Sequence, residues 1–384
     1  MAMNKWMARL NKNENAVKRD QSPFSNYVRY SSPYLNWLFG NTHGLPKGKK
    51  MVVWGGDKAG KTVMRYDMIG QIHRDYPKAD VICYDTESRD DAQLTPALAR
   101  AFGIDLDRYV CHITNKPEEI FDHFENEVVP AIQDGQILGA LFIDSITAVM
   151  GRRMQSAEGI MTRQIGDDAT TQADGLKRIL TYLNKYKIPL ILTAQVRAEM
   201  DPNKAKYKPY KMAGAWYLKH SVEYTIKMER VSSKEGGQTL TGGSLEDASL
   251  TDVMGNAERT GHRIRATMEN SSLGPSGRKC EFTFNYREGV VNRYEEAFQL
   301  GITRGIVDRP NNRTYVLSKF PAGSDTSMKW DSKGDFLLAI SKNEDLYNEI
   351  IQRVKLQDVD LMDNGAESKF YMPSTEPKQE DADE

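Results

Sequence analysis

Short apolar runs alternate with helix-like stripes over roughly the first 230 residues of the chain. The runs that suit buried strands are residues 51–54, 81–84, 138–143 and 190–194. Before the last of them, apolar residues recur at positions i, i+3, i+4 and i+7 and predict a helix over about residues 171–187; they are Leu176, Ile179, Leu180 and Leu183. This alternation predicts an α/β fold, with a mostly parallel central sheet flanked by helices on both faces.

The pattern changes after residue 231. Residues 232–261 are rich in Ser, Gly and Thr, which predicts a mobile insertion. Residues 263–268 and 281–286 then suggest a strand pair, and residues 294–300 and 335–354 suggest helices of a small C-terminal α+β domain. The chain ends with an excess of acids, which predicts a solvated, disordered tail; Lys378 is the only base among Glu376, Glu380, Asp381, Asp383 and Glu384.

These changes predict four segments. They are an N-terminal segment over 1–30, a core over 31–300 that contains the insertion, a small C-terminal domain over 301–358, and the acidic tail over 359–384. The N-terminal segment is polar and mildly basic, and Trp6, Met7 and Leu10 would share one face of a short helix. Because such a helix has too little apolar surface to be stable alone, we expect it to dock on another surface.

Composition and charge narrow the class of protein. The 384 residues are enough for one large core and smaller additions, and the formal net charge is only −1. A uniformly basic nucleic-acid binder is therefore excluded, and any DNA affinity must come from local clusters. The three cysteines have no metal-type spacing, which suits a reducing compartment. With no run of eighteen apolar residues and no secretion signal, we expect a soluble, cytoplasmic protein without a membrane partner.

Residues 55–62 spell G-x-x-x-x-G-K-T, the phosphate-binding loop of nucleoside triphosphatases. The loop follows a strand candidate and precedes a candidate helix over 63–73, so its backbone N–H groups and the helix N-terminus can form an anion site. Lys61 would reach the β- and γ-phosphates of ATP, and the Thr62 hydroxyl would bind Mg²⁺. The predicted nucleotide-binding residues here are Gly55, Gly56, Asp57, Lys58, Ala59, Gly60, Lys61, Thr62 and Val63.

Two strand candidates end in acids. Asp144 follows residues 138–143 and is expected to bind nucleotide-associated Mg²⁺ through its water shell, so Thr62 and Asp144 are the candidate metal residues. The other strand runs into Asp85, Thr86 and Glu87, where Glu87 can polarise the attacking water as a general base. A surface or helix-capping role is the alternative for Glu87.

Further motifs follow in a fixed order. They are residues 30–38, 44–48, 85–87, 99–105, 142–145, 165–167, 193–197, 263–265 and 281–301. In this order they resemble the RecA family of homologous-recombination ATPases, including its phage UvsX-type members, over about residues 30–355 with gaps. The resemblance implies a RecA-like ATPase core in which Lys61, Glu87 and Gln195 are catalytic. It also implies that Gln195 senses the γ-phosphate and relays its presence to DNA-binding loops.

The resemblance implies two loops that bind single-stranded DNA. The first would span about residues 151–165, with Arg152, Arg153 and Arg163. The second would span about residues 197–214 and is expected to be mobile; its candidate DNA-binding residues are Arg197, Lys204, Lys206, Tyr207, Lys208, Tyr210, Lys211 and Gly214. Lysines neutralise phosphates and aromatic rings stack on bases. A solvated polar loop is the alternative interpretation of this composition.

Two departures from the family pattern concern the second DNA loop and the subunit interface. The second loop ends in Ala213-Gly214-Ala215 where the family has Gly-Gly-Asn, which suggests a stiffer hinge. The bacterial Lys-x-Lys pair, which reaches the neighbouring subunit's ATP, is matched by residues 268–270, which contain no lysine. The candidates to replace it are a bound cation or one of Arg263, Arg265, Arg278 and Lys279.

The resemblance implies an ATP-dependent strand-exchange recombinase with ATP and Mg²⁺ as cofactors. Its partners would be single-stranded DNA, homologous duplex DNA and further copies of the chain in a helical filament, on which the N-terminal segment would dock. A single-strand-binding protein and a loading mediator are also allowed as partners, and the location would be the host cytoplasm if a phage encodes the chain. The alternatives are a ring helicase of the same superfamily and an ATP-binding recombination mediator without strand exchange.

Overall fold

The protein is described by a computed structural model. It describes residues 27–90, 94–150, 167–207, 209–214, 216–231, 240–241, 259–272, 274–285, 289–320 and 325–367. The predicted N-terminal helix with Trp6 and Leu10, and most of the predicted insertion, lie outside these residues. The chain divides into two compact units, with the boundary after Leu300.

The larger unit contains fourteen strands among the described residues. They are β1 (Tyr27–Val28), β2 (Leu45–Pro46), β3 (Lys50–Gly55), β4 (Asp80–Asp85), β5 (Tyr109–Ile113), β6 (Leu138–Asp144), β7 (Leu190–Ala194), β8 (Val196–Ala198), β9 (Tyr210–Met212), β10 (Tyr224–Arg230), β11 (Leu240–Thr241), β12 (Arg259–Ser271), β13 (Lys279–Asn285) and β14 (Gly289–Val291).

Helices connect these strands. They are α1 (Pro33–Trp37), α2 (Lys61–Asp75), α3 (Leu94–Phe102), α4 (Pro117–His123), α5 (Val129–Gln133), α6 (Asp167–Lys185), α7 (Pro202–Ala205), α8 (Trp216–Ser221) and α9 (Arg293–Thr303). A π-helical turn over Phe124–Val128 joins α4 to α5. Short 3₁₀ turns occur at Gly40–Thr42, Leu106–Arg108 and Ile146–Ala148.

A ten-stranded sheet forms the centre of this unit, in the order β14-β13-β12-β10-β3-β7-β6-β4-β5, with β11 paired to β12. The pairings from β10 to β5 are all parallel, whereas β11 to β14 add an antiparallel part. Side chains of β3 alternate between two apolar clusters, because Met51 and Val53 pack in one and Val52 and Trp54 in the other. The predicted mostly parallel sheet, buried on both faces, is confirmed.

Antiparallel pairing shortens the predicted insertion at its C-terminal end. Strand β12 begins at Arg259, before residue 261 where the composition suggests that the insertion ends. Gly261 pairs with Asn285, so the ladder continues to the end of β13 and satisfies the backbone of β12 over these residues. Leu240 also pairs with Gly261 from the other side.

Residues 27–30 belong to the folded unit, although the polar composition assigns them to the N-terminal segment. Val28 and Tyr30 are almost fully buried, and β1 pairs with β2. The Arg29 guanidinium donates two hydrogen bonds, of 2.6 and 2.9 Å, to the Asp75 carboxylate at the end of α2. This anchorage could not be read from residues 1–30 alone, because its partners come later in the chain.

The smaller unit contains a hairpin of β15 (Tyr315–Ser318) and β16 (Ser327–Trp330), followed by α10 (Lys333–Lys342) and α11 (Glu344–Glu367). The helix predicted over 335–354 is therefore two helices. Asn343 separates them, because its backbone is extended and its side chain accepts a hydrogen bond from the Leu346 N–H at 3.1 Å. Helix α11 continues to Glu367, past the predicted start of the disordered tail at residue 359. Among all the described helices, none is long and apolar enough to cross a membrane.

Candidate functional site

The 55–62 loop joins β3 to α2, as its motif predicts. Close packing against β10 and β12 explains both outer glycines. A Cβ atom on Gly55 would lie 2.3 Å from the Met228 carbonyl oxygen, and one on Gly60 would lie 2.4 Å from Ile264 Cδ1. Gly60 also has a φ of 88°, a left-handed value that glycine adopts at little cost. The loop can therefore approach neighbouring strands closely while its backbone turns into the helix.

Lys61 lies at the first position of α2 and is buried. Its Nζ donates hydrogen bonds to the carbonyl oxygens of Gly55, at 2.9 Å, and Gly56, at 2.8 Å. Burial lowers the pKa of Lys61, and Arg89 lowers it further, against the opposing effect of nearby acids. A desolvated cation that reaches back across the loop is suited to bind an anion there.

Thr62 and Asp144 lie side by side. The Thr62 hydroxyl donates to Asp144 Oδ2 at 3.2 Å, and the Thr193 hydroxyl donates to Asp144 Oδ1 at 2.5 Å. Asp144 is buried at the end of β6, between β7 and β4. A hydroxyl and a carboxylate are hard oxygen ligands of the kind that Mg²⁺ prefers, so these residues fit the predicted metal site.

A buried ion pair behind this site was not predicted. Arg65 is 2% exposed, and its guanidinium contacts Asp90 Oδ1 at 2.5 Å and Asp144 Oδ2 at 3.3 Å. Tyr66 and Tyr109 also donate hydroxyl hydrogen bonds to Asp90. Although burial alone would raise the pKa of Asp90, Arg65 and these hydrogen bonds lower it. A charged residue in a helix is normally solvated, so the sequence carries no signal for this network.

Glu87 follows β4 and lies at the centre of several contacts. Its Oε1 accepts hydrogen bonds from Ser145 Oγ and Gln195 Nε2, both at 2.7 Å. Its Oε2 pairs with the Arg89 guanidinium. The predicted general base, the predicted γ-phosphate sensor and the end of the Asp144 strand therefore meet at one carboxylate. Ser145 and Arg89 are neighbours of this site that sequence reasoning missed.

Gln195 connects this carboxylate to a two-stranded β-ribbon formed by β8 and β9. The Gln195 carbonyl accepts a hydrogen bond from the Ala213 N–H at 2.8 Å, so both ends of the ribbon meet at Gln195. The segment expected to be a mobile loop thus contains paired strands and the short helix α7. Its polar residues concealed the strands, because exposed ribbon residues lack the apolar alternation that predicts a strand.

The ribbon presents several of the predicted DNA-binding side chains. Arg197 is exposed and pairs across the ribbon with Lys211, whose Nζ lies 2.9 Å from Glu199 Oε1. Tyr207 is 88% exposed and Tyr210 is 59% exposed, which is unusual for side chains of this size. Lys206 is exposed, the backbone of Lys204 lies in α7, and Gly214 ends the ribbon with a φ of 110°. Lys208 and the first-loop residues Arg152, Arg153 and Arg163 lie outside the described residues.

The candidates for a cation that acts across a subunit interface occupy different surroundings. Arg263 and Arg265 on β12 both pair with Glu281 on β13, at 2.8 Å. Arg278 donates to the Trp37 carbonyl at 2.7 Å and stacks on the Trp37 ring. Glu269, which lies between the two lysine positions of the family pattern, accepts a hydrogen bond from Trp54 Nε1 at 2.8 Å. Lys279 is exposed.

More than half of the chain matches the model of a known protein family. The family model of the RecA N-terminal domain matches residues 28–245. The chain is 23% identical over 314 residues to the protein RecA of Streptomyces avermitilis, covering 81% of this chain and 72% of that protein. It is 24% identical over 267 residues to the protein RecA of Gluconacetobacter polyoxogenes, covering 69% and 67%. With the protein RecA of Limosilactobacillus reuteri it shares 21% over 315 residues, covering 82% and 75%. Because the family model matches more than half of its length, the chain belongs to the RecA family.

Proposed function

We propose that the protein is an ATP-dependent DNA strand-exchange recombinase. It forms a helical filament on single-stranded DNA and pairs that strand with a homologous duplex. The observation that carries the proposal is the position of Gln195, whose side chain binds Glu87 while its backbone closes the ribbon that bears Tyr207 and Tyr210. One residue thus belongs both to the candidate ATP site and to the candidate DNA surface.

The ATP site assigns distinct tasks to its residues. The 55–62 loop and Lys61 bind the phosphates, and Thr62 and Asp144 would hold Mg²⁺. The metal ion neutralises charge on the phosphate oxygens when it is bound. Glu87 accepts a proton from the attacking water, and Ser145 holds its carboxylate in one orientation, joined by Gln195 before nucleotide binds. These side chains come from the ends of neighbouring parallel strands, so they need little reorganisation to act together.

Coupling to DNA follows from the two roles of Gln195. If its side chain exchanges Glu87 for a phosphate oxygen, the backbone at the base of the ribbon must respond, because both ribbon ends are tied to this residue. Such a change has an effect only when the two arrangements differ in their contacts. The ribbon then binds DNA through lysines that neutralise phosphates and tyrosines that stack on bases. We expect little sequence preference and a steep dependence on salt concentration.

The test is joint-molecule formation between a labelled single strand and a supercoiled duplex, with ATP and Mg²⁺. A homologous and a heterologous duplex are compared, and Lys61→Ala serves as the control that lacks the phosphate-binding cation. Product from the homologous duplex alone, and none with the control, is the expected result. DNA-stimulated ATP hydrolysis without joint molecules would instead favour a helicase or a mediator that acts through a partner recombinase.

A further inference from the structure

Arg89 lies in a tightly fixed connection after β4. The buried Asp85 carboxylate accepts hydrogen bonds from the backbone N–H groups of Glu87 at 3.0 Å, Arg89 at 2.6 Å and Asp90 at 2.7 Å. Ser88 between them has a left-handed φ of 53°. Three backbone hydrogen bonds to one buried carboxylate hold this segment in one conformation. The Cα atom of Arg89 is therefore fixed relative to β4.

The Arg89 guanidinium joins two parts of the candidate ATP site. Its Nη2 pairs with Glu87 Oε2, and its Nη1 lies 3.5 Å from the Thr62 hydroxyl oxygen. Orientation of Glu87 does not depend on this pair, because Ser145 holds its other oxygen and can do so after Gln195 has exchanged Glu87 for a phosphate oxygen. Arg89 therefore sits between the predicted metal-binding hydroxyl and the predicted general base without being needed to position either of them.

The electrostatics of this region point to an anion. The Arg89 guanidinium lies against the hydroxyl of Thr62, and Lys61 is the residue directly before it, so two cationic side chains border this part of the site. In this structure Glu87 balances the charge of Arg89, and a phosphate bound beside Lys61 would offer Arg89 a second anionic partner. The Arg89 side chain is 42% exposed, whereas that of Glu87 is 10% exposed. The guanidinium thus has room to exchange partners while its backbone stays fixed.

We propose that Arg89 binds the γ-phosphate of ATP within the same subunit and releases Glu87 as it does so. The inference rests on the proposed ATPase function. In the reaction, the water oxygen bonds to the γ-phosphorus, the bond to the β,γ-bridging oxygen breaks, and a proton of the water passes to Glu87. Arg89 neutralises charge on the γ-phosphate oxygens, and the oxygen of Glu87 that it leaves becomes available to the water. An arginine in this role raises turnover by about 10³- to 10⁵-fold in other phosphoryl-transfer enzymes.

Nucleotide affinity tests the contact independently of turnover. In a Glu87→Gln background, which prevents hydrolysis, ATP and ADP are titrated in the presence of Mg²⁺ by calorimetry, with and without Arg89→Ala. Loss of a charged contact to the γ-phosphate should weaken ATP about tenfold or more and ADP less than about threefold. Arg89→Lys keeps the charge but not the planar guanidinium, so its ATP affinity should lie between that of the parent and that of Arg89→Ala. Arg100→Ala, an exposed arginine on α3, is the matched control and should change neither affinity.

The outcomes separate this inference from the proposed function. Equal weakening of ATP and ADP by Arg89→Ala, or no weakening at all, would overturn the γ-phosphate contact. If Arg89→Ala does not fold, Arg89→Lys takes its place. Equal weakening of ATP and ADP by Arg89→Lys, or no weakening of either, would then overturn the γ-phosphate contact. If Lys61→Ala also leaves ATP affinity unchanged, the proposed ATP site itself is wrong. If Lys61→Ala abolishes ATP binding while Arg89→Ala leaves the ratio of ATP affinity to ADP affinity unchanged, only the role of Arg89 is wrong.

Discussion

Glu296 should make the stability of the protein fall as pH rises through the neutral range. This side chain of α9 is 4% exposed. Its Oε2 accepts hydrogen bonds from Ser32 Oγ at 2.5 Å and the Tyr34 N–H at 3.3 Å, whereas its Oε1 has no partner among the described residues. Burial raises the pKa of Glu296 from 4.5 to about 8, the two hydrogen bonds oppose the rise, and Asp67 adds to it. The folded protein therefore keeps a proton that the unfolded chain loses.

The sign and the magnitude follow from this difference. Because the folded state has the higher pKa, its advantage is complete below pH 4.5 and disappears as pH rises to about 8. At about 1.4 kcal/mol per pH unit, the loss between pH 5 and pH 7.5 is about 3 kcal/mol. Glu296→Gln is neutral in the folded and the unfolded state, so it removes this dependence of the unfolding free energy on pH. The buried amide adds a penalty of about 1–3 kcal/mol, because the partnerless oxygen is replaced by an NH₂ group, but this penalty does not depend on pH.

The assay is denaturant unfolding of the full chain, followed by circular dichroism from pH 5 to pH 8.5 at fixed protein concentration. The free energy of unfolding of Glu296→Gln minus that of the parent should increase by about 3 kcal/mol between pH 5 and pH 7.5. Glu295→Gln removes a carboxylate from the neighbouring, half-buried position and is the matched control. A difference that stays constant with pH would refute the reasoning, since Glu296 would then titrate alike in both states.

Three further predictions concern the ATP and DNA sites. Glu87→Gln should reduce ATP turnover by about 10²-fold or more while ATP affinity is retained, measured by phosphate release and calorimetry, and normal turnover would remove Glu87 as the base. Tyr207→Ala with Tyr210→Ala should weaken binding of a labelled single strand by about tenfold or more without changing nucleotide affinity, since both rings are exposed; unchanged strand affinity would exclude the ribbon as the DNA surface. Gln195→Ala should leave ATP hydrolysis in the absence of DNA measurable but abolish its stimulation by single-stranded DNA, and retained stimulation would show that coupling takes another route.

Local patterns predicted the parts of the site that depend on consecutive residues. The phosphate loop follows from eight adjacent residues, and Asp144 follows from its place at the end of an apolar run. Arg65 could not be predicted, because its burial depends on Asp90 and Asp144, which the fold brings to it from the connection after β4 and from the end of β6. The same holds for the Ser145–Glu87 contact, which depends on β4 and β6 being neighbours. Sequence order alone does not state which strands become neighbours.

The ribbon illustrates a different limit. Its strands are short and carry charged residues, and apart from the buried Met212 their side chains are exposed or half-buried, so composition favours a mobile loop. The hydrogen bond between Ala213 and the Gln195 carbonyl closes the ribbon across a long stretch of intervening chain. A pairing of that range leaves no periodic trace in the sequence, because strands of only three residues are too short to show an alternation of apolar and polar positions.

The position of β3 in the sheet has a consequence for how the protein is made. The strand that leads into the phosphate loop is an early one, yet both of its neighbours, β7 and β10, come from much later in the chain. During synthesis the loop therefore leaves the ribosome long before the strands that fix it, and β3 must wait until residue 230 has emerged. We therefore expect nucleotide to bind only after β7 and β10 have paired with β3. A nascent chain that stops before β10 should not retain ATP. ATP binding by a longer nascent chain would then show that both strands next to β3 have formed.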